Sequence, residues 1–243
     1  KKLFASVVTG MTAFSMSFGA FLPAVVHAAT TCPEVEAGDL IKVPGNSAVY
    51  YVNADMERMY FPNADVYKTW FEDFSGVKEI PSACIDNYPS GGGVNFHAGT
   101  YLVKTEVSPN VYIIGSDNVK HKLPNEQVAA ALYGADWAKK VRILPDVFDA
   151  NYKVGAALTE AVPTEGSLGQ TAGDTNVYVV MDGEWVKVVG ATPKPLAAHV
   201  HILTEAVFNT VEMADASKTA TAASLLADPS QKGEATTPPV TPP

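Results

Sequence analysis

Short apolar runs broken by turn-forming residues, with two stretches of helical spacing between them, set the first expectations for this chain. Strands are predicted over residues 40–43 and 102–104, where apolar side chains follow Gly38 and Gly99 closely. Residues 48–52 and 56–61 read as a hairpin turning at Asn53-Ala54-Asp55, residue types that tolerate turn geometry. A second hairpin is read over 111–114 and 119–123, turning at Gly115-Ser116-Asp117-Asn118. A third joins 177–181 to 185–189 through Asp182-Gly183, a strong hairpin signal. Pro62-Asn63 and Pro124-Asn125 then mark helix starts, because proline ends a strand and an asparagine side chain accepts from exposed backbone amides. Val66, Tyr67, Trp70, Phe71 and Phe74 fall on one helical face, which predicts a helix over about 64–74. Val128, Leu132 and Tyr133 do the same for a helix over 126–133, with an extension to 140 left open.

The chain also matches itself. Ala37-Gly38-Asp39-Leu40-Ile41-Lys42 returns as Ala98-Gly99-Thr100-Tyr101-Leu102-Val103-Lys104, and Phe61-Pro62-Asn63 returns as Leu123-Pro124-Asn125. Arg58 aligns with Lys120, Val77-Lys78 with Val141-Arg142, and Asn87-Tyr88 with Asn151-Tyr152. A weaker copy opens at Asn176-Val177-Tyr178, and Val200-His201-Ile202-Leu203 resembles Val141-Arg142-Ile143-Leu144. Its helix region is short and carries Pro193 and Pro195, which oppose a helix. The expected fold class is therefore α+β, mainly β, in tandem repeats of strand, β-hairpin, short helix and extended segment, with a degenerate third copy. The expected boundaries are 29–97 for the first unit, 98–160 for the second and 161–213 for the third. Residues 214–243, rich in Ala, Thr and Pro, read as a linker or tail, and Gly91-Gly92-Gly93 as a flexible connector between copies.

The first 28 residues combine two lysines, an apolar run and small residues before Ala29, the pattern of a secretory signal cut after Ala28. Read this way, the mature chain has no transmembrane segment. The whole chain has 243 residues and a net charge of −9, and without that leader, which carries two lysines and no acid, the charge becomes −11. An acidic chain without clustered Lys and Arg argues against nucleic acid as a partner. The only two cysteines, Cys32 and Cys84, read in an exported chain as one disulfide rather than a metal site. By loop entropy such a bridge contributes roughly 3–4 kcal/mol.

Candidate chemistry is sparse. Nucleophile elbows, zinc-protease helices and phosphate-binding loops are missing from the sequence, so the chain is read as not an enzyme and as needing no cofactor. His199 and His201 sit two apart on one strand, with His97 and His121 in the other copies, a pattern too thin to specify a metal site. Asp55, Asp117, Asp174 and Asp182 are candidate Ca²⁺ ligands, with turn formation as the competing role. Strand alternation is expected to send some hairpin aromatics outward. Tyr112, Tyr178 and Trp185 are the candidate ligand-stacking rings, against a competing role in the core.

The strings Val49-Tyr50-Tyr51-Val52, Tyr60-Phe61-Pro62-Asn63, Phe74-Ser75-Gly76-Val77-Lys78 and Asn151-Tyr152 carry a resemblance. Over about residues 32–160 the chain resembles an uncharacterised repeat region of exported cell-surface proteins of ultra-small candidate-phyla bacteria. The resemblance implies an envelope setting and supplies no activity or catalytic residue. The expectation is a secreted or cell-surface structural or assembly protein, S-layer-like or part of an appendage, whose partners are itself or other envelope proteins. The alternative is an adhesion module that binds cell-wall polysaccharide or other glycans through its hairpin aromatics.

Overall fold

The structure, a computed structural model, describes residues 31–229. The expected leader and residues 230–243 lie outside that range. In the first sheet β1 (Leu40–Lys42), β2 (Val49–Val52) and β3 (Arg58–Tyr60) form an antiparallel meander. Helix α1 (Ala64–Lys68) carries the chain back to β4 (Val77–Glu79), parallel to β1. A 3₁₀ turn over Ser82–Asn87 leads to β5 (Ser90–Gly93), parallel to β3, giving the order β4-β1-β2-β3-β5.

The second sheet contains β6 (Leu102–Thr105), β7 (Tyr112–Ile114) and β8 (Val119–Lys122), then α2 (Glu126–Tyr133), β9 (Val141–Leu144), α3 (Asp146–Asp149) and β10 (Lys153–Val154). Its order is β10-β8-β7-β6-β9. The third contains β11 (Leu168–Thr171), β12 (Tyr178–Met181), β13 (Glu184–Val188), α4 (Lys194–Ala197), β14 (Val200–Leu203), α5 (Glu205–Phe208) and β15 (Glu212–Met213). It ends with β16 (Thr219–Ala220) and α6 (Ala222–Leu225). Its order is β14-β11-β12-β13-β15, and β16 also runs along β13. The chain is thus mixed α and β, mainly β, with few and short helices.

Registers correspond from sheet to sheet. Leu40 faces Tyr51 and neighbours Val77, Leu102 faces Ile113 and neighbours Val141, and Leu168 faces Val179 and neighbours Val200. Just ahead of each first strand a glycine N–H donates across the hairpin: Gly38 to Val52 O at 2.7 Å, Gly99 to Ile114 O at 2.8 Å and Gly166 to Val180 O at 2.9 Å. Asn63 and Asn125 cap their helices as expected, each Oδ1 accepting at 2.9 Å from Val66 N–H and Val128 N–H.

Several expectations change. Helix α1 ends at Lys68, not near 74, because the Thr69 hydroxyl donates to Val66 O and Trp70 turns inward to donate to Asn95 O. Pro193 and Pro195 do not prevent a helix: they stand at the cap and in the first turn of α4, where a missing amide costs nothing. Gly91-Gly92-Gly93 is not a loose connector but most of β5. A Cβ at Gly91 would lie 2.6 Å from Met59 Sδ and one at Gly93 2.9 Å from the Tyr60 ring, so glycine lets this strand lie against β3. The folded chain continues past 214, for Ala220 and Leu225 are buried against the third sheet.

Both faces of the sheets are covered. In the first sheet Leu40, Tyr51 and Met59 join one core, while Ile41 and Val52 join another with Cys84. In the third, Val179, Val186 and Val188 pack on one side and Val180, Trp185 and Phe208 on the other. The Cys32–Cys84 disulfide, with Cα atoms 5.6 Å apart, fastens the start of the described chain to the 3₁₀ turn before β5. Among the described residues no helix is long and apolar enough to cross a membrane.

Candidate functional site

The three sheets meet at residues 94–100, which join β5 to β6 and are buried throughout. A buried loop must satisfy its backbone polar groups, and here side chains from all three sheet regions do so. Phe96 N–H donates to the Tyr152 hydroxyl at 3.1 Å, and His97 N–H to Thr69 Oγ1 at 3.1 Å. Gly99 O meets His201 Nε2 at 2.9 Å and Thr100 O meets His199 Nδ1 at 3.1 Å. His97 contacts Leu225 O through Nε2 at 2.7 Å and Ala98 O through Nδ1 at 2.9 Å.

Three of the histidines weighed as metal ligands are instead clasps inside the junction. His97, His199 and His201 are 7%, 7% and 5% exposed. Burial pushes His199 and His201 down to about 4, with Lys140 adding to the effect on both. Burial also lowers His97, opposed by its two carbonyl contacts. His121 lies apart from them and contacts Ala156 O.

Close approach at the junction depends on two glycines. Gly99 has φ +70° and a Cβ there would fall 2.5 Å from Ser167 Cα; Gly166 has φ +82° and its Cβ would strike Ala98 Cβ. Beside this contact opens a cleft of about 640 Å³, lined by Trp70, His97, Asp117, Glu165, Asp182 and Asp228 among others. Three of its carboxylates serve the fold. Glu165 accepts from the Asp182 and Gly183 amides, Asp182 pairs with Lys218 at 3.1 Å, and burial together with Asp228 pushes the Tyr51 phenol up to about 12.

The candidate Ca²⁺ ligands are dispersed in turns. Asp117 and Asp182 each adopt φ 56°, Asp174 accepts from Asn176, and Asp55 follows Asn53 in the first hairpin turn. Among the described residues no three His, Cys, Asp or Glu side chains gather as a metal site would require.

The candidate stacking rings are not brought together on a surface. Trp185 is fully buried, stacked on Phe208 with centroids 4.7 Å apart, and its indole N–H donates to Phe208 O at 2.8 Å. The ring thus takes the competing place in the core rather than the candidate stacking one. Tyr178 packs edge-on to Phe208 at 5.5 Å, and Tyr112 lies under the Lys120 ammonium at 5.2 Å. Both are half-buried.

The third member of one correspondence is hidden from sequence comparison. Arg58, Lys120 and Trp185 stand opposite Val52, Ile114 and Val180 in their sheets. Each sends an N–H donor to the segment after the fourth strand: Arg58 to Ile85 O and Tyr88 O, Lys120 to Asp149, Trp185 to Phe208 O. A cation and an indole share no sequence signal, only the ability to donate.

No family model, no curated protein and no solved structure matches this chain.

Proposed function

We propose that this chain is a non-enzymatic, exported cell-surface structural or assembly module built from three copies of one five-stranded unit. The observation that carries the reading is the common strand order of the three sheets, with equivalent registers at Leu40, Leu102 and Leu168. The donors at Arg58, Lys120 and Trp185 and the amides of Gly38, Gly99 and Gly166 support it, since each trio does one job at one place in its sheet. On this reading the third unit extends to about residue 229, and the short helix α4 is its chief departure.

A chain of such units offers equivalent surfaces at regular intervals, as self-association requires. Ile143 of β9 and Ile202 of β14 hold equivalent positions on edge strands and are 46% and 66% exposed. Solvent-facing apolar residues on sheet edges suit contact with another copy or another envelope protein. The Cys32–Cys84 disulfide fits an oxidising setting outside the cytoplasm.

The purified chain, freed of its leader, should form ordered lattices, filaments or a defined oligomer, visible by negative-stain microscopy and light scattering, with and without calcium. A strictly monomeric protein across protein and salt concentrations would contradict the proposal.

A further inference from the structure

Two buried polar atoms at the contact between α2 and β14 have complementary needs. Tyr133 ends α2 and His201 lies in β14, their ring centroids 4.3 Å apart at an interplanar angle of 57°. They are 4% and 5% exposed. His201 Nε2 meets Gly99 O, and since a carbonyl only accepts, that nitrogen carries the proton. Nδ1 is then a lone pair in need of a donor.

Among the described residues neither His201 Nδ1 nor the Tyr133 hydroxyl has a hydrogen-bond partner, and the two do not bond each other. Both residues line one small cavity, together with Ser167 and the apolar side chains of Ile113, Leu168, Trp185 and Leu203. The cavity leaves about 10 Å³ for the centre of a water-sized sphere, and its lining bears no carboxylate, lysine or arginine. Such a space admits one water and nothing larger, and a buried water needs two to four polar partners.

We infer that this cavity is the binding site of a single structural water, which accepts from the Tyr133 hydroxyl and donates to His201 Nδ1. Its second proton points to Ser167 Oγ, already 3.3 Å from Thr164 Oγ1. The water joins the second sheet's helix to the edge strand of the third and fixes the His201 tautomer that holds Gly99 O.

A crystal structure of the leader-free chain, at a resolution where ordered waters are visible, tests this. The expected result is one density peak within about 2.6–3.2 Å of both Tyr133 Oη and His201 Nδ1. An empty cavity, or a Tyr133 hydroxyl swung into a direct bond with Nδ1, would overturn the inference. In Tyr133→Phe the peak should vanish while the far-ultraviolet circular dichroism is kept, and the His201 Nδ1 nitrogen resonance should shift toward that of a free lone pair. An unchanged peak and resonance in a folded Tyr133→Phe protein would equally refute it, and if that variant fails to fold the wild-type density decides.

Discussion

Acid should loosen the junction of the three sheets before it affects the surface carboxylates. His199 and His201 are held near 4 by burial, whereas an unfolded chain would titrate them at about 6.5. Between these values the unfolded state binds more protons than the folded one, so stability rises with pH and is lost on acidification from about 6.5 to about 4. From about pH 7 to about pH 5 the loss is about 2 kcal/mol for each histidine, about 4 kcal/mol together. That is a large share of the 5–15 kcal/mol that typically holds a domain folded.

The carboxylates do not cancel it. Hydrogen bonds lower Asp73, Asp174 and Asp215, and Lys78 helps lower Asp39 against the opposing effect of burial. Stability from depressed carboxylates is present above their unfolded values and is lost only as pH falls below about 4. Urea unfolding followed by tryptophan fluorescence at the two pH values is the assay, with the midpoint converted through a common slope. The His199→Gln/His201→Gln double variant should start less stable and lose most of the pH dependence. Equal wild-type midpoints at both pH values, or an undiminished pH dependence in the double variant, would refute the reasoning.

Two further perturbations separate packing from binding. Trp185→Ala removes a fully buried ring and its hydrogen bond to Phe208 O, and should cost about 3–5 kcal/mol, on the order of 10 °C in Tm by differential scanning calorimetry. Unchanged stability with lost retention on purified cell wall would instead restore the ring as a binding surface. Reducing Cys32–Cys84, whose cysteines are 52 positions apart, should cost about 4 kcal/mol by loop entropy, read as a fall in urea midpoint with reductant; a shift worth under about 1 kcal/mol would contradict it.

The hairpins were legible because their signals are local. Asn53-Ala54-Asp55 and Asp182-Gly183 turn where the sequence places them, and the apolar runs on either side pair as expected. The asparagine caps of α1 and α2 were equally readable. The fifth strands were not. Lys153–Val154 and Glu212–Met213 are too short to show alternation, and β5 is almost all glycine. They exist because the hairpin strand beside each offers unpaired backbone groups.

Trp185 shows a second limit. Alternation assigns it to the face opposite Val186, but only the tertiary structure shows that α5 covers that face and the other core covers Val186. The same holds for His199 and His201, whose partners Thr100 and Gly99 lie about a hundred residues earlier in the chain. The internal sequence matches pointed to equivalent strands, but not to the contact at residues 94–100 where the three sheets meet.

Imaging native cell envelopes by electron cryotomography, with an electron-dense label fused to this protein, tests the central claim most directly. The account predicts label at the cell surface in a periodic array or along a regular appendage. Label confined to the cell interior, or scattered singly over the surface without order, would contradict it.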